Sequence, residues 1–287
     1  MMKTRTHSSL LLAMISLTLL CGAQAQTAPT VEATLDESFR DMYNLKFDDA
    51  LRVIENAKAI DKTDPIPWVA QASAILFREF DRLHILRSDM FSSDDAFDSR
   101  PAYSWAPESK KQFDAVLATG EKIAQQRISQ NSKDVKALFS LALINGLRAD
   151  DAALITKRNL SALSYTKSAS GYSEKLLALS PDYYDAYVAS GMGKYIIGGK
   201  AAPVRWMLRL GGLKGDQEQG LKELRMAADH GRYLAPFARI LLAFDDLRHK
   251  NKTAARQKFA SLHDQFPGNP LFTQEMAKCD AVSVSGG

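Results

Sequence analysis

Apolar positions along this chain recur every three to four residues. Between Phe47 and Ile54 they fall at Phe47, Ala50, Leu51 and Ile54, the i, i+3, i+4, i+7 face of an amphipathic helix. No pair of alternating β-branched runs joined by a hairpin turn is present. The punctuation agrees with helices. Ser180-Pro181 and Asn269-Pro270 each read as an N-cap followed by proline at the first helical position. Asp216 with Gln219 three residues on resembles a capping box, with Asp in place of the usual Ser or Thr. The pattern predicts an all-α chain.

The N-terminus follows a different rule. Lys3, Arg5 and His7 form a basic head, Leu10 to Leu20 is apolar apart from Ser16 and Thr18, and Ala23-Gln24-Ala25 follows. A basic head, a short apolar run and a small-x-small end make a secretory signal peptide over residues 1–25, cleaved after Ala25. The run is too short for a membrane span, which needs about 20 residues. Cys21 raises lipid anchoring, but Leu20 stands where that processing wants a small residue. Cleavage after Ala25 is therefore the reading, with export to the periplasm. The chain carries 37 basic and 33 acidic residues, and loss of Lys3 and Arg5 brings the charge from +4 to +2. So small a balance gives no reason to expect nucleic acid. No later run is long enough to span a membrane. Cys279 is left as the only cysteine, so no internal disulfide forms and stability must come from packing. Residues 26–34 read as a flexible lead-in and 281–287 as a disordered tail.

Between them, several helix pairs end alike: NAKAIDKTDP at Asn56 to Pro65, LLALSPD at Leu176 to Asp182, LHDQFPGNP at Leu262 to Pro270. These ends resemble tetratricopeptide repeats (TPR), helix-turn-helix units of about 34 residues that close near a proline. Ala243, Ala255, Phe259 and Pro267 fall on the family's small, small, aromatic and proline positions. Phe47, Ala50 and Ala57 fit in the first unit, where Lys62 replaces the proline. Gly220 and Ala227 fit in the fourth. Unit ends at Lys62, Asn131, Pro181, Arg232 and Pro267 are spaced by 69, 50, 51 and 35 residues, so the repeats are degenerate. The resemblance implies a right-handed α-solenoid of about five TPR-like helix-turn-helix pairs over 35–280, with an insertion near 88–107. One pair cannot bury its apolar face alone, so neighbours must stack. The GGLKGDxxxGLxxLxxAxxxGxYLAPFA stretch from Gly211 is similar to bacterial exported repeat proteins, and more faintly to a eukaryotic repeat family linked with inclusion-body clearance.

Candidate chemistry is sparse. Tyr183, Tyr184, Tyr187 and Tyr195 are predicted in one helix, with Tyr187, Gly191 and Tyr195 on one face. In a TPR-like stack the first helix of each pair lines a concave groove, where such rings would meet an extended peptide, or else they fill the core between repeats with their hydroxyls reaching the rim. Arg205 and Arg209, one turn apart and flanking Trp206, are suited to clamp a carboxylate or phosphate, or else form a solvated basic face. The acidic insertion, with Asp89, Asp94, Asp95 and Asp98, has no glycine for a calcium loop and reads as solvated. Phe91, Phe97, Tyr103 and Trp105 suggest that it folds back onto the stack or onto a partner. His84, His230, His249 and His263 form no metal-binding pair, and no nucleophile elbow or phosphate loop is present. Gly211 to Gly215 reads as a turn.

These observations predict an exported, non-catalytic TPR-like scaffold that needs no metal or cofactor. It would bind another envelope protein or a peptide segment in its groove, through Tyr184, Tyr187, Tyr195, Arg205, Trp206 and Arg209. The alternative is a binding protein for a small molecule or envelope polymer, in a groove closed by the insertion.

Overall fold

A computed structural model describes residues 29–199 and 215–281. The leader, the basic segment with Arg205, Trp206 and Arg209, most of the Gly211–Gly215 turn and residues 282–287 lie outside them.

The described residues form helices and no strand. The first three are α1 (Val31–Tyr43), α2 (Phe47–Ile60) and α3 (Ile66–Arg82). After the insertion helix α4 (Asp94–Ser99) come α5 (Pro107–Gln130), α6 (Val135–Asp150), α7 (Asn159–Leu179) and α8 (Tyr187–Gly198). The chain ends with α9 (Gln217–His230), α10 (Ala235–Arg248), α11 (Lys252–Gln265) and α12 (Pro270–Asp280). Consecutive helices pack as α1/α2, α3/α5, α6/α7, α8/α9 and α10/α11, and α12 follows as a single helix. Short turns join most partners, which makes them antiparallel neighbours. The all-α, five-pair expectation holds.

The sequence signals find their structural roles. Asp216 and Asn269 cap α9 and α12 by accepting the Gln219 N–H at 3.0 Å and the Leu271 N–H at 2.9 Å. Ala50, Ala243 and Ala255 are fully buried, as close helix approach requires. Phe259, at 1% exposure, fills the centre of the last pair. Helices α8 and α9 cross closely, with Gly191 and Gly220 meeting backbone to backbone. Beside it a buried network forms: Ser190 donates to Glu223 Oε2 at 2.5 Å, and Lys194 reaches Glu223 Oε1 at 2.7 Å.

Three local expectations are corrected. Helix α1 starts at Val31, inside the stretch read as flexible, because Thr30 caps it through the Ala33 N–H and Val31 enters the core. Pro181 does not open a helix. Ser180 ends α7, its N–H bonded to the Leu176 carbonyl at 2.8 Å, and Pro181 lies in the turn that follows. The tyrosines consequently occupy a turn, a 3-10 segment (Tyr184–Ala186) and α8 rather than one helix.

The stack also closes on itself. The Phe39 ring of α1 stacks on Tyr233 at 4.9 Å, and Tyr43 donates to the Tyr233 carbonyl at 2.8 Å. Asn269 donates to the Tyr43 carbonyl at 2.9 Å, and Phe77 of α3 meets Phe237 of α10 edge-on at 5.7 Å. One apolar core accordingly runs from α1 to α10.

The insertion folds back onto the stack. At one end, Trp105 donates to Asp151 at 2.8 Å, beside a π-helical turn (Asp151–Ile155), and Arg100 binds the Ala153 carbonyl at 2.5 Å. At the other, Phe91 stacks on Phe244 at 5.0 Å, and Arg248 pairs with Asp94. The buried Glu275 of α12 accepts from the Ser88 N–H at 3.2 Å and from the Ser88 hydroxyl, and Lys278 bridges Glu275 and Asp89. The segment is a strap across the stack.

Candidate functional site

The capping chemistry that starts several helices also builds a cleft. It lies where the N-terminal ends of α1, α3 and α6 meet the α7–α8 connection and the α9–α10 turn, and encloses about 270 Å³. Asp64 accepts the Ile66 N–H at 2.9 Å to start α3. Asp185 accepts the backbone N–H groups of Tyr233 and Leu234 at 3.1 and 2.8 Å to start α10. Gly231 permits that approach, since a Cβ there would sit 2.8 Å from the Asp185 carboxylate. Burial raises the Asp185 carboxyl above its ordinary range, against the lowering effect of these N–H groups.

Three tyrosines line the cleft. Tyr183 leans on Phe139 at 4.9 Å, Tyr184 on His230 at 4.8 Å, and Tyr233 on Phe39. Burial pushes the phenols of Tyr183 and Tyr233 far above the usual value, reinforced for Tyr183 by Asp185. Both therefore stay neutral and able to donate or accept. None of the three hydroxyls has a hydrogen-bond partner among the described residues, although Tyr233 is only 4% exposed. The cations at the rim are already engaged. Lys136 contacts Glu32 at 2.8 Å and Asp64 at 2.7 Å, and Arg232 grips Asp36 through two bonds of 2.8 and 2.7 Å. Asp182 has no side-chain partner among the described residues.

A second cleft, of about 420 Å³, lies between α9, α10 and α11. It is larger, but it has no aromatic lining; some of its polar groups are engaged, while Arg225, Asp229, Gln257 and Ser261 have no side-chain bond among the described residues. Lys258 pairs with Asp246 at 2.5 Å, Arg239 binds the Ala228 carbonyl at 3.1 Å, and Asp245 is taken by Tyr195. The smaller cleft is the better site because three aromatic side chains line it and their hydroxyls have no partner among the described residues.

The tyrosines singled out from sequence separate here. Tyr184 lines the cleft. Tyr187 stands beside it with ring centroids 6.3 Å apart, but its hydroxyl is spent on the Pro181 carbonyl at 3.1 Å. Tyr195 does not line the cleft. It donates to Asp245 at 2.6 Å, and burial, then that carboxylate, pushes its phenol up to about 12. Arg205, Trp206 and Arg209 lie outside the described residues. Sequence reasoning missed Tyr233, Asp182, Glu32 and Lys136. Tyr233 had a signal, since it sits in the distinctive GxYLAPFA stretch; the others looked like ordinary surface charges. Among the described residues, no group of three or more His, Cys, Asp or Glu side chains is placed to hold a metal. None of the described helices is long and apolar enough to cross a membrane.

No family model matches the sequence, and no curated protein matches it significantly. Among solved structures, the chain is similar to a thermophilic TPR protein from Thermus thermophilus, at 13% identity and a TM-score of 0.45. That match covers 88% of this chain and all of the other. The helical-pair architecture rests on the packing described above.

Proposed function

We propose that this chain is an exported, non-catalytic helical-repeat scaffold that binds a segment of another envelope protein at the tyrosine-lined cleft. One observation carries the reading: three tyrosines line one cleft, and their hydroxyls have no hydrogen-bond partner among the described residues. These hydroxyls are open to solvent rather than sealed in the core, so a partner's polar groups can take the place of water there while the rings supply contact area. The cleft is smaller than the roughly 300–1,000 Å³ usual for small-molecule sites. It suits one side chain of a partner whose remaining contacts lie on the surrounding surface. Export rests on the leader pattern, and the mature protein would begin at Gln26.

The test is a photo-crosslinking amino acid at position 184, placed in the exported protein in cells. A dominant crosslinked envelope protein, lost when the probe is moved to Leu179 on the exposed flank of α7, is the expected result. Equal labelling from both positions, or no protein product at good expression, refutes the cleft as a protein-binding site. Amino-terminal sequencing of the exported form checks cleavage after Ala25.

A further inference from the structure

The cleft recognises charge of one sign, and we infer that it accepts a basic side chain, lysine or arginine, from its protein partner. This builds on the scaffold reading and specifies its chemistry. The acids at the cleft are Glu32, Asp182 and Asp185, with Asp36 and Asp64 directly behind. Against these five stand two permanent cations. Lys136 is shared between two carboxylates, and Arg232 is held by Asp36 while its guanidinium lies 5.4 Å from the Tyr233 ring centre. Lys136 and Arg232 are thus matched by Glu32, Asp64 and Asp36, and Asp185 is offset by the helix N-terminus it caps, so the uncompensated negative charge is that of Asp182.

Helix capping explains only some of these acids. Asp64 and Asp185 serve as caps, and their lone pairs are largely used by backbone N–H groups. Asp182 caps nothing and has no side-chain bond. Tyr233 is the independent observation: the residue is more than nine-tenths buried in the cleft wall, while its hydroxyl stays open to solvent and has no partner among the described residues. An ammonium or guanidinium group has only donors, three or five of them. One free carboxylate at the rim, Asp182, with the phenol oxygens of the wall is its complement, and the aromatic walls suit the apolar stem of a long basic side chain. An incoming carboxylate would meet the phenol donors, but also the repulsion of the surrounding acids at short range. The modest volume fits one such side chain and little else.

The test uses the full exported protein with tyrosine labelled for NMR and three small probes: butylguanidinium, butylammonium and butyrate. The two cations are expected to shift the Tyr183, Tyr184 and Tyr233 resonances saturably in the millimolar range, weakening as salt rises. Butyrate is expected to leave them unmoved. Asp182→Asn is expected to weaken cation binding about ten-fold, as loss of a charge-assisted contact would. Tyr233→Phe keeps the ring stack on Phe39 and is expected to weaken it less. Both variants should retain the parent helicity. Butyrate binding as tightly as the cations, or cation affinity unchanged in Asp182→Asn, overturns the inference. A partner crosslinked at the cleft through an acidic segment would overturn it too, yet leave the scaffold reading standing. Cation binding with no protein partner would support the inference while removing that reading.

Discussion

Adding a methyl group at Gly220 tests the packing of the stack most sharply. Alanine in place of glycine inside a helix ordinarily stabilises by about 1 kcal/mol, because glycine surrenders more backbone entropy on folding. At Gly220 the sign should reverse. A Cβ there would sit 2.7 Å from the Gly191 carbonyl oxygen and 2.7 Å from the Tyr195 nitrogen. Both are backbone atoms of α8 and cannot rotate away, so α8 and α9 must separate by several tenths of an ångström. That separation loosens Leu224 and strains the Glu223–Lys194–Ser190 network beside the crossing. Overpacking of this kind costs about 1–3 kcal/mol even after the helix-propensity gain. For a chain of this size, a fall in Tm of roughly 3–10 °C should follow. Gly171, inside α7, is the internal control, since a Cβ there would meet nothing within 4 Å. Gly171→Ala should therefore raise Tm by about 2–4 °C. Thermal unfolding followed by circular dichroism reads both. If Gly220→Ala also raises Tm, the close approach of α8 and α9 is wrong.

Other expectations concern buried polar groups. The Asp150 carboxyl, half-buried at the end of α6, is pushed up to about 7 by the loss of solvent around it and has no side-chain hydrogen bond among the described residues. Its folded-state value lies above the unfolded one, so stability is present at low pH and lost as pH rises towards about 7. Asp150→Asn should stabilise at pH 8, by about 1 kcal/mol once solvent screening of the half-buried group is allowed for, and leave pH 4 nearly unchanged, as urea titrations would show. An equal effect at both pH values would contradict the burial argument. Tyr195→Phe should cost about 1 kcal/mol near neutrality. The wild type should also lose stability as pH climbs from about 10 to about 12, because the folded state holds the phenol proton longer, and the variant should lose less. Glu275→Ala leaves Ser88 and Lys278 without their buried acceptor, so limited proteolysis should cut the 88–99 strap faster while the helical stack stays intact. Unchanged cleavage kinetics would mean that the Phe91–Phe244 stack holds the strap alone.

The sequence by itself determined the helices, because amphipathic spacing, caps and small residues act within a few positions of one another. The Phe47–Ile54 face, the Asp216 and Asn269 caps and the buried Ala50, Ala243 and Ala255 were all legible for that reason. The aromatic residues of the insertion pointed to burial against the stack or a partner, and the contacts of Phe91 and Trp105 with the stack decide between them. Sequence failed at the turn after Ser180, where a proline that commonly opens a helix instead lies outside one. It failed again with the tyrosines, since a shared helix face does not say which hydroxyl finds an internal acceptor. Only the tertiary structure decided that Tyr195 is spent on Asp245, while Tyr183, Tyr184 and Tyr233 remain unpaired around one cleft. Tyr233 and Glu32 are about two hundred positions apart, and closure of α1 onto the α9–α10 turn brings them together. Contacts at such separation leave no periodic trace, because they depend on how successive pairs rotate and stack rather than on the local chain.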